Sequence, residues 1–232
     1  AGVGNVRIIR GNYADLPEIL HSMEIGQVDG ILLDLGISMH QALSAQRGFS
    51  IKNPGPLDMR FSIDQKVTAY ELVNSLSEEQ LADIIYRYGE ERRARKIAKA
   101  VVEARKVKPL ETTDELADLV ARTVGYRGRI HPATRVFQAL RIATNRELDN
   151  LQEALPRIFQ VLKEGGRLAV ISYHSLEDRI VKQFFKTWEE EGKGLRLTKK
   201  VVKPSLEEIN ENPSSRSAKL RVFKKGVGGN EN

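Results

Sequence analysis

The chain has no cysteine, which excludes a disulfide scaffold and any thiolate metal site. The same lack suits a cytoplasmic setting. It has no apolar run long enough to span a membrane and no secretory signal pattern. Internal repeats are missing too. There is no G-x-x-x-x-G-K-S/T phosphate loop and no G-x-S-x-G elbow. Gly2-Val-Gly4 is too short and has no strand before it, so no dinucleotide fingerprint is present. The four histidines, His21, His40, His131 and His174, show no metal-ligand spacing, and no metal is expected.

What is present is an ordinary globular composition over 232 residues, 41% hydrophobic and 29% charged, room for one large domain or two small ones. The net charge of +6 is unevenly spread. Nine basic residues lie between Arg87 and Lys108 against three glutamates, and residues 120–146 hold six arginines and no acid. A further basic group comprises Lys199, Lys200, Lys203, Arg216, Lys219, Arg221, Lys224 and Lys225. Such clustering suits either a polyanion partner or a solubilising surface.

Two apolar runs stop abruptly at polar residues: DGILLDLGIS, ending around Asp34, and GGRLAVISYHSLEDR, ending at Tyr173, His174, Ser175, Glu177 and Asp178. Runs of this kind predict buried strands of a parallel sheet. Ligands of open α/β sheets sit beyond the carboxyl ends of the strands. Residues 6–10, 28–33 and 167–173 are expected as strands, with helices at 16–25, 158–163 and 176–191. The pair 195–202 and 219–224 is expected as antiparallel. Ser77 with Gln80 and Thr112 with Glu115 are capping-box signatures. They open two of four helices expected between about 77 and 155, the others covering 92–106 and starting at His131-Pro132. The turn-rich stretch 46–56 marks the change of rhythm. The tail 226–232 is expected to fray.

Taken alone, Asp34 suits a ligand contact or the cap of the following turn. His174 or Ser175 suits an N-cap, with Glu177 and Asp178 at the positive helix end. Thr134, Arg135 and Gln138 near one helical face suit contact with phosphate or base, or helix packing.

Seven motifs, in order, carry a resemblance: LDLGIS with Gln41, RGFS, PLDMRF, YGEER, HPATRVFQALRIATNREL, ISYHSLEDRIVKQFF and ENPSSRSAKLR. Together they resemble the MraW/RsmH family, bacterial 16S ribosomal RNA cytosine-N4 methyltransferases that use S-adenosylmethionine. The resemblance implies an α/β fold, a class I (Rossmann-like) methyltransferase sheet with an inserted all-α domain. The expected boundaries are 1–45 and 136–232 for the sheet domain and 46–135 for the insertion. It implies cofactor contacts at Tyr13, Asp34 and Gln41. It also implies that the family's first strand, its glycine-rich turn and the acid of its second strand have no counterpart in this chain, so the sheet is expected to be incomplete at its N-terminal side.

Methyl transfer to a poorly nucleophilic cytosine amine requires acceptors that align it and a route for its proton. Asp34, His174 and Tyr173 are the expected catalytic residues, with Tyr173 or Phe49 as a stacking ring for a base swung out of its helix. Arg92, Arg93, Arg95, Lys96, Arg135 and Gln138 are the expected RNA contacts, and the partner is 16S rRNA or the small ribosomal subunit, with no membrane partner. A homodimer is left open. The alternatives are an inactive RNA-binding fragment of the enzyme and a DNA methyltransferase. Calorimetry with S-adenosylmethionine separates the first, and a swap of DNA for rRNA the second.

Overall fold

A computed structural model describes residues 5–38, 41–42, 44–126 and 130–226. Along the chain the elements run α1 (Leu16–Ser22), β1 (Val28–Asp34), α2 (Ala69–Ser75), α3 (Glu78–Gly89), α4 (Ala94–Val107), α5 (Thr113–Val124) and α6 (Thr134–Asn145). They continue as α7 (Glu147–Gln160), β2 (Leu162–Ser172), α8 (Ser175–Glu190), β3 (Gly194–Arg196), α9 (Leu206–Glu211) and β4 (Lys219–Lys225). Two compact units emerge: Ala1–Gly36 with Leu148–Asn232, and Ile37–Glu147.

The first unit is built on a four-stranded sheet in the order β1-β2-β4-β3, a mixed α/β arrangement consistent with a Rossmann-like methyltransferase fold. β1 runs parallel to β2, with Asp34 opposite Ile171. β4 is antiparallel to both β2 and β3. The parallel pairing is the element that matters for the site, because it delivers the carboxyl ends of β1 and β2 to the same edge. Phe185, Phe223, Leu151, Leu155 and Ile158 are fully buried around this sheet. Trp188 joins them, its ring centroid 5.5 Å from that of Phe223 and 4.5 Å from that of Phe159.

The second unit is helical among its described residues. Its core gathers Leu57, Met59, Leu81, Ile85, Ile97 and Leu116, with Val136, Phe137 and Leu140 from α6. Local sequence sets its helix starts. Thr68, Ser77 and Thr112 each accept a backbone N–H at the third helical position, and Glu71, Gln80 and Glu115 return the bond to the cap.

Several expectations change. Residues 6–10 form no strand: Val6, Ile8 and Ile9 are exposed, and no strand among the described residues pairs with them. Pro156 does not end a helix, since α7 runs through it. The lost hydrogen bond is outweighed by the fully buried face of Leu151, Ala154, Leu155 and Ile158. The end of the helix expected at 158–163 falls instead in β2, which also contains Gly165-Gly166. Gly165 has φ +78°, and a Cβ on Gly166 would meet Lys163 O at 2.8 Å, while the β1–β2 register shifts between Val28 and Gly30. The glycines thus make an irregularity that restores pairing. The helix opening at His131-Pro132 does not continue to 155, because Arg146 adopts a left-handed φ of 49° and separates α6 from α7.

The helical unit also extends beyond the expected 46–135, to Ile37 and Glu147. α6 belongs with it because Phe137 and Leu140 enter its core and because Gly89 of α3 packs against the Arg135 carbonyl, 2.5 Å from where a Cβ would sit. Gly2-Val-Gly4, His40, Arg127, Arg129 and residues 227–232 lie outside the described residues. No helix among those described is long and apolar enough to cross a membrane.

Candidate functional site

At the shared edge of β1 and β2, the backbone N–H of Leu35 donates to the Ile171 carbonyl at 3.0 Å, carrying the pairing one residue past Asp34. The chain then turns at Gly36, which has φ +103°, and the Tyr173 ring lies 3.5 Å from where a Cβ would stand. A left-handed turn against an aromatic ring is a place where glycine is needed. Across it the Tyr173 hydroxyl donates to the Asp34 carboxylate at 2.8 Å, a contact between residues 139 apart in sequence. Asp34 is exposed, so its remaining acceptor capacity faces outward. Burial, then the hydrogen bond to Asp34, push the Tyr173 hydroxyl up to about 12. Tyr173 therefore stays protonated near neutral pH and acts as a donor, not a base.

His174 is placed differently from its expected role. It is buried and is the N-cap of α8, its Nδ1 accepting the Glu177 N–H at 3.4 Å. An accepting Nδ1 puts the proton of a neutral imidazole on Nε2, which lies 3.3 Å from Glu177 Oε1. His174 thus caps the helix through Nδ1, and its Nε2 makes no hydrogen bond among the described residues. Glu177, also buried, accepts the backbone N–H groups of Tyr173 at 2.9 Å and His174 at 3.4 Å. Asp178 forms a two-pronged pair with Arg221, at 2.7 and 3.1 Å. Arg221 therefore leaves the expected basic surface, as does Lys225, which donates to the carbonyls of Phe159 and Leu162.

Of the residues expected at the cofactor, Tyr13 sits half-buried in the turn before α1, packed against the sheet core. Asp34 stands at the β1 tip as above. Gln41, in the helical unit, accepts from the N–H and hydroxyl of Ser38 at 3.1 and 3.2 Å, closing a local turn. The expected stacking ring Phe49 packs against the helical core with its centroid 5.9 Å from that of Phe61, so its position is a packing one.

The cations divide into two sets. Arg93 pairs with Glu91 and donates to the Val124 carbonyl at 2.8 Å. Gln138 donates to the Tyr88 carbonyl at 2.9 Å, tying α6 to the end of α3, so its amide is engaged in packing. Arg135 reaches the Glu90 carbonyl and Glu91, though its side chain is still 58% exposed. Arg92, Arg95 and Lys96 are exposed and make no ion pair among the described residues. They line a cleft of about 930 Å³ with Tyr86 and Asp83 of α3. Tyr86 is 61% exposed and was not singled out by sequence. It lies off the apolar stripe of Leu81, Ile84, Ile85 and Tyr88, which was the available signal.

The description of the matching family is MraW methylase family, over residues 2–226. A protein of Coprothermobacter proteolyticus is 99% identical over 232 residues, all of this chain and 78% of that protein. One from Persephonella marina is 50% identical over 96% of this chain and 76% of its own length. One from a Sulfurihydrogenibium species is 49% identical over 94% of this chain. All three carry the name ribosomal RNA small subunit methyltransferase H. With nearly the whole chain matched, the chain belongs to the MraW methylase family.

Proposed function

We propose that the chain serves methyl transfer from S-adenosylmethionine to the N4 amine of a cytosine in the 16S rRNA of the small ribosomal subunit. The observation that supports this best is the exposed Asp34 carboxylate, held by Tyr173 at the joint tip of two parallel strands. The relatives' name supports an rRNA substrate.

The residues at that tip fit a methyl donor of this kind. The left-handed Gly36 opens the backbone beside a carboxylate, and a carboxylate suits the ammonium or hydroxyl groups of such a cofactor. Tyr13 and Asp34, both in the sheet unit, are the residues proposed to hold it. When bound, the cofactor supplies an electrophilic methyl group on sulfur. The chain's own work is to hold the amine and manage its proton. One Asp34 oxygen accepts from Tyr173, and the remaining acceptor sites can take an N–H of the cytosine amino group, aligning it and receiving the proton it loses. Tyr173, fixed as a donor, keeps the carboxylate in one orientation. His174 acts in this reading by holding the strand tip, not as the base.

The helical unit grips RNA phosphates with Arg92, Arg95 and Lys96, aided by Arg93 and Arg135, beside Tyr86 as a surface on which a base can stack. Two measurements test the proposal. Calorimetry is expected to detect S-adenosylmethionine binding that Asp34→Ala weakens. RNA affinity is expected to fall steeply with salt, each of the three free cations contributing about one unit of slope. No cofactor binding, with RNA binding intact, would favour a chain that binds RNA only. A flat salt response would remove the helical unit from the substrate.

A further inference from the structure

We infer that Glu177 is a positioning residue for this site, working with the imidazole of His174 to aim Tyr173 at Asp34. The inference rests on the proposed role of Asp34 and deepens it.

The observations are local and lie within one compact unit. Tyr173 and His174 follow the last residue of β2, where ladder hydrogen bonds end. The backbone there needs another partner to hold one conformation. Glu177 supplies it, with Oε2 accepting the N–H of Tyr173 at 2.9 Å and of His174 at 3.4 Å. Its other oxygen faces His174 Nε2 at 3.3 Å, while His174 Nδ1 accepts from the Glu177 backbone. Each residue thus binds the other twice, once through backbone and once through side chain. Glu177 is 3% exposed and His174 9%.

A helix start alone does not call for this. A serine, threonine, aspartate or asparagine at the cap does the same with fewer atoms, as Ser77 and Thr112 do in this chain. A buried carboxylate is expensive unless several donors meet it. The imidazole instead covers that carboxylate, its Nε2 standing 3.3 Å from Glu177 Oε1 and making no hydrogen bond among the described residues. What the bracket secures is the direction of Tyr173. Its hydroxyl reaches across to Asp34 at 2.8 Å, and its ring lies 3.5 Å from the Gly36 Cβ position. A shift of the Tyr173 backbone would move both contacts.

The test uses the 232-residue chain and needs no turnover for its first readout. With tyrosine labelled at Cζ and Tyr173→Phe for assignment, Asp34→Ala defines the resonance of a Tyr173 hydroxyl without its acceptor. Glu177→Gln is expected to move the wild-type resonance most of the way to that position, with Trp188 fluorescence unchanged. In methyl transfer to 16S rRNA, Glu177→Gln is expected to lower kcat about ten- to hundredfold, with KM for RNA within about twofold. His174→Asn keeps an oxygen acceptor for the cap and is expected to leave the helix stable while shifting the Tyr173 resonance part of the way. A Tyr173 resonance unmoved in Glu177→Gln overturns the inference. So does a His174→Asn chain that loses kcat with the Tyr173 resonance at its wild-type position, since the imidazole would then take part in the chemistry itself. If Asp34→Ala leaves kcat intact, the catalytic reading falls, while the resonance shifts still report whether Glu177 aims Tyr173.

Discussion

The two compact units solve the problem of defining structure in opposite ways. In the helical unit the helix starts are set by short-range contacts: Thr68 with Glu71, Ser77 with Gln80 and Thr112 with Glu115 are each three residues apart. In the sheet unit they are long-range: Tyr173 meets Asp34 across 139 residues, and Arg221 meets Asp178 across 43. Short-range contacts form without closing a long loop, so each fixes one helix end nearly independently. Long-range contacts exist only once the sheet has formed, so each reports the whole unit. A site on the sheet edge therefore depends on the whole unit, whereas each helix start in the helical unit depends mainly on its own few residues.

The largest effects should arise where the sheet unit's long-range contacts are cut. Phe223→Ala removes a fully buried ring that touches Phe159, Phe185 and Trp188 and is expected to destabilise the unit by about 3–5 kcal/mol. Urea unfolding followed by Trp188, the chain's single tryptophan, measures this. Asp178→Ala leaves Arg221 buried without its carboxylate, and about 3–5 kcal/mol is expected from the same titration. Should either variant unfold within 1 kcal/mol of wild type, against the about 3 kcal/mol that such losses carry, the sheet unit would not be cooperative in the way described.

A smaller effect is expected in the helical unit. Thr112→Ala removes one half of a capping box and should cost about 0.5–2 kcal/mol, read by circular dichroism, with Trp188 fluorescence unaffected. Its partner Glu115 is held down at about 2, chiefly by Lys108 and then by the Glu111 N–H. A carboxylate lowered on folding stabilises above its ordinary value, and that contribution disappears as pH falls from about 4.5 toward 2. Titration of Glu115 by NMR near its ordinary value would refute its bonds to Lys108 and to the Glu111 and Thr112 N–H groups. The smallest effect belongs to the exposed pair Arg87–Asp83, where Asp83→Asn is expected to change stability by at most about 0.5 kcal/mol.

The contrast also decides what the sequence could reveal. The capping boxes at Ser77 and Thr112 and the helix at α4 were legible because their causes lie within a few residues. The antiparallel partnership of the 195–202 stretch with the last strand was legible from alternation. Residues 6–10 looked like a strand by composition, yet a strand needs a neighbour, and periodicity carries no information about one. The continuation of α7 through Pro156 was not legible, because the buried face that overrides a proline comes from packing. At the site, the two apolar runs exposed Asp34 and Tyr173 as strand-tip residues. Which of Tyr173 and His174 would turn to Asp34 depends on a hydrogen bond across the sheet. The engagement of Gln138 and Phe49 in packing depends likewise on helices that meet only in three dimensions.

The central claim is that the carboxylate at the β1 tip, oriented by Tyr173, manages the amine in methyl transfer. Its most direct test is single-turnover transfer to 16S rRNA by the wild-type chain and by Asp34→Asn, which keeps the shape and an acceptor for Tyr173 but loses the charge. The account predicts a rate lower by about a hundredfold or more, with RNA affinity unchanged. An Asp34→Asn rate within about twofold of wild type, against that expected loss, would contradict it.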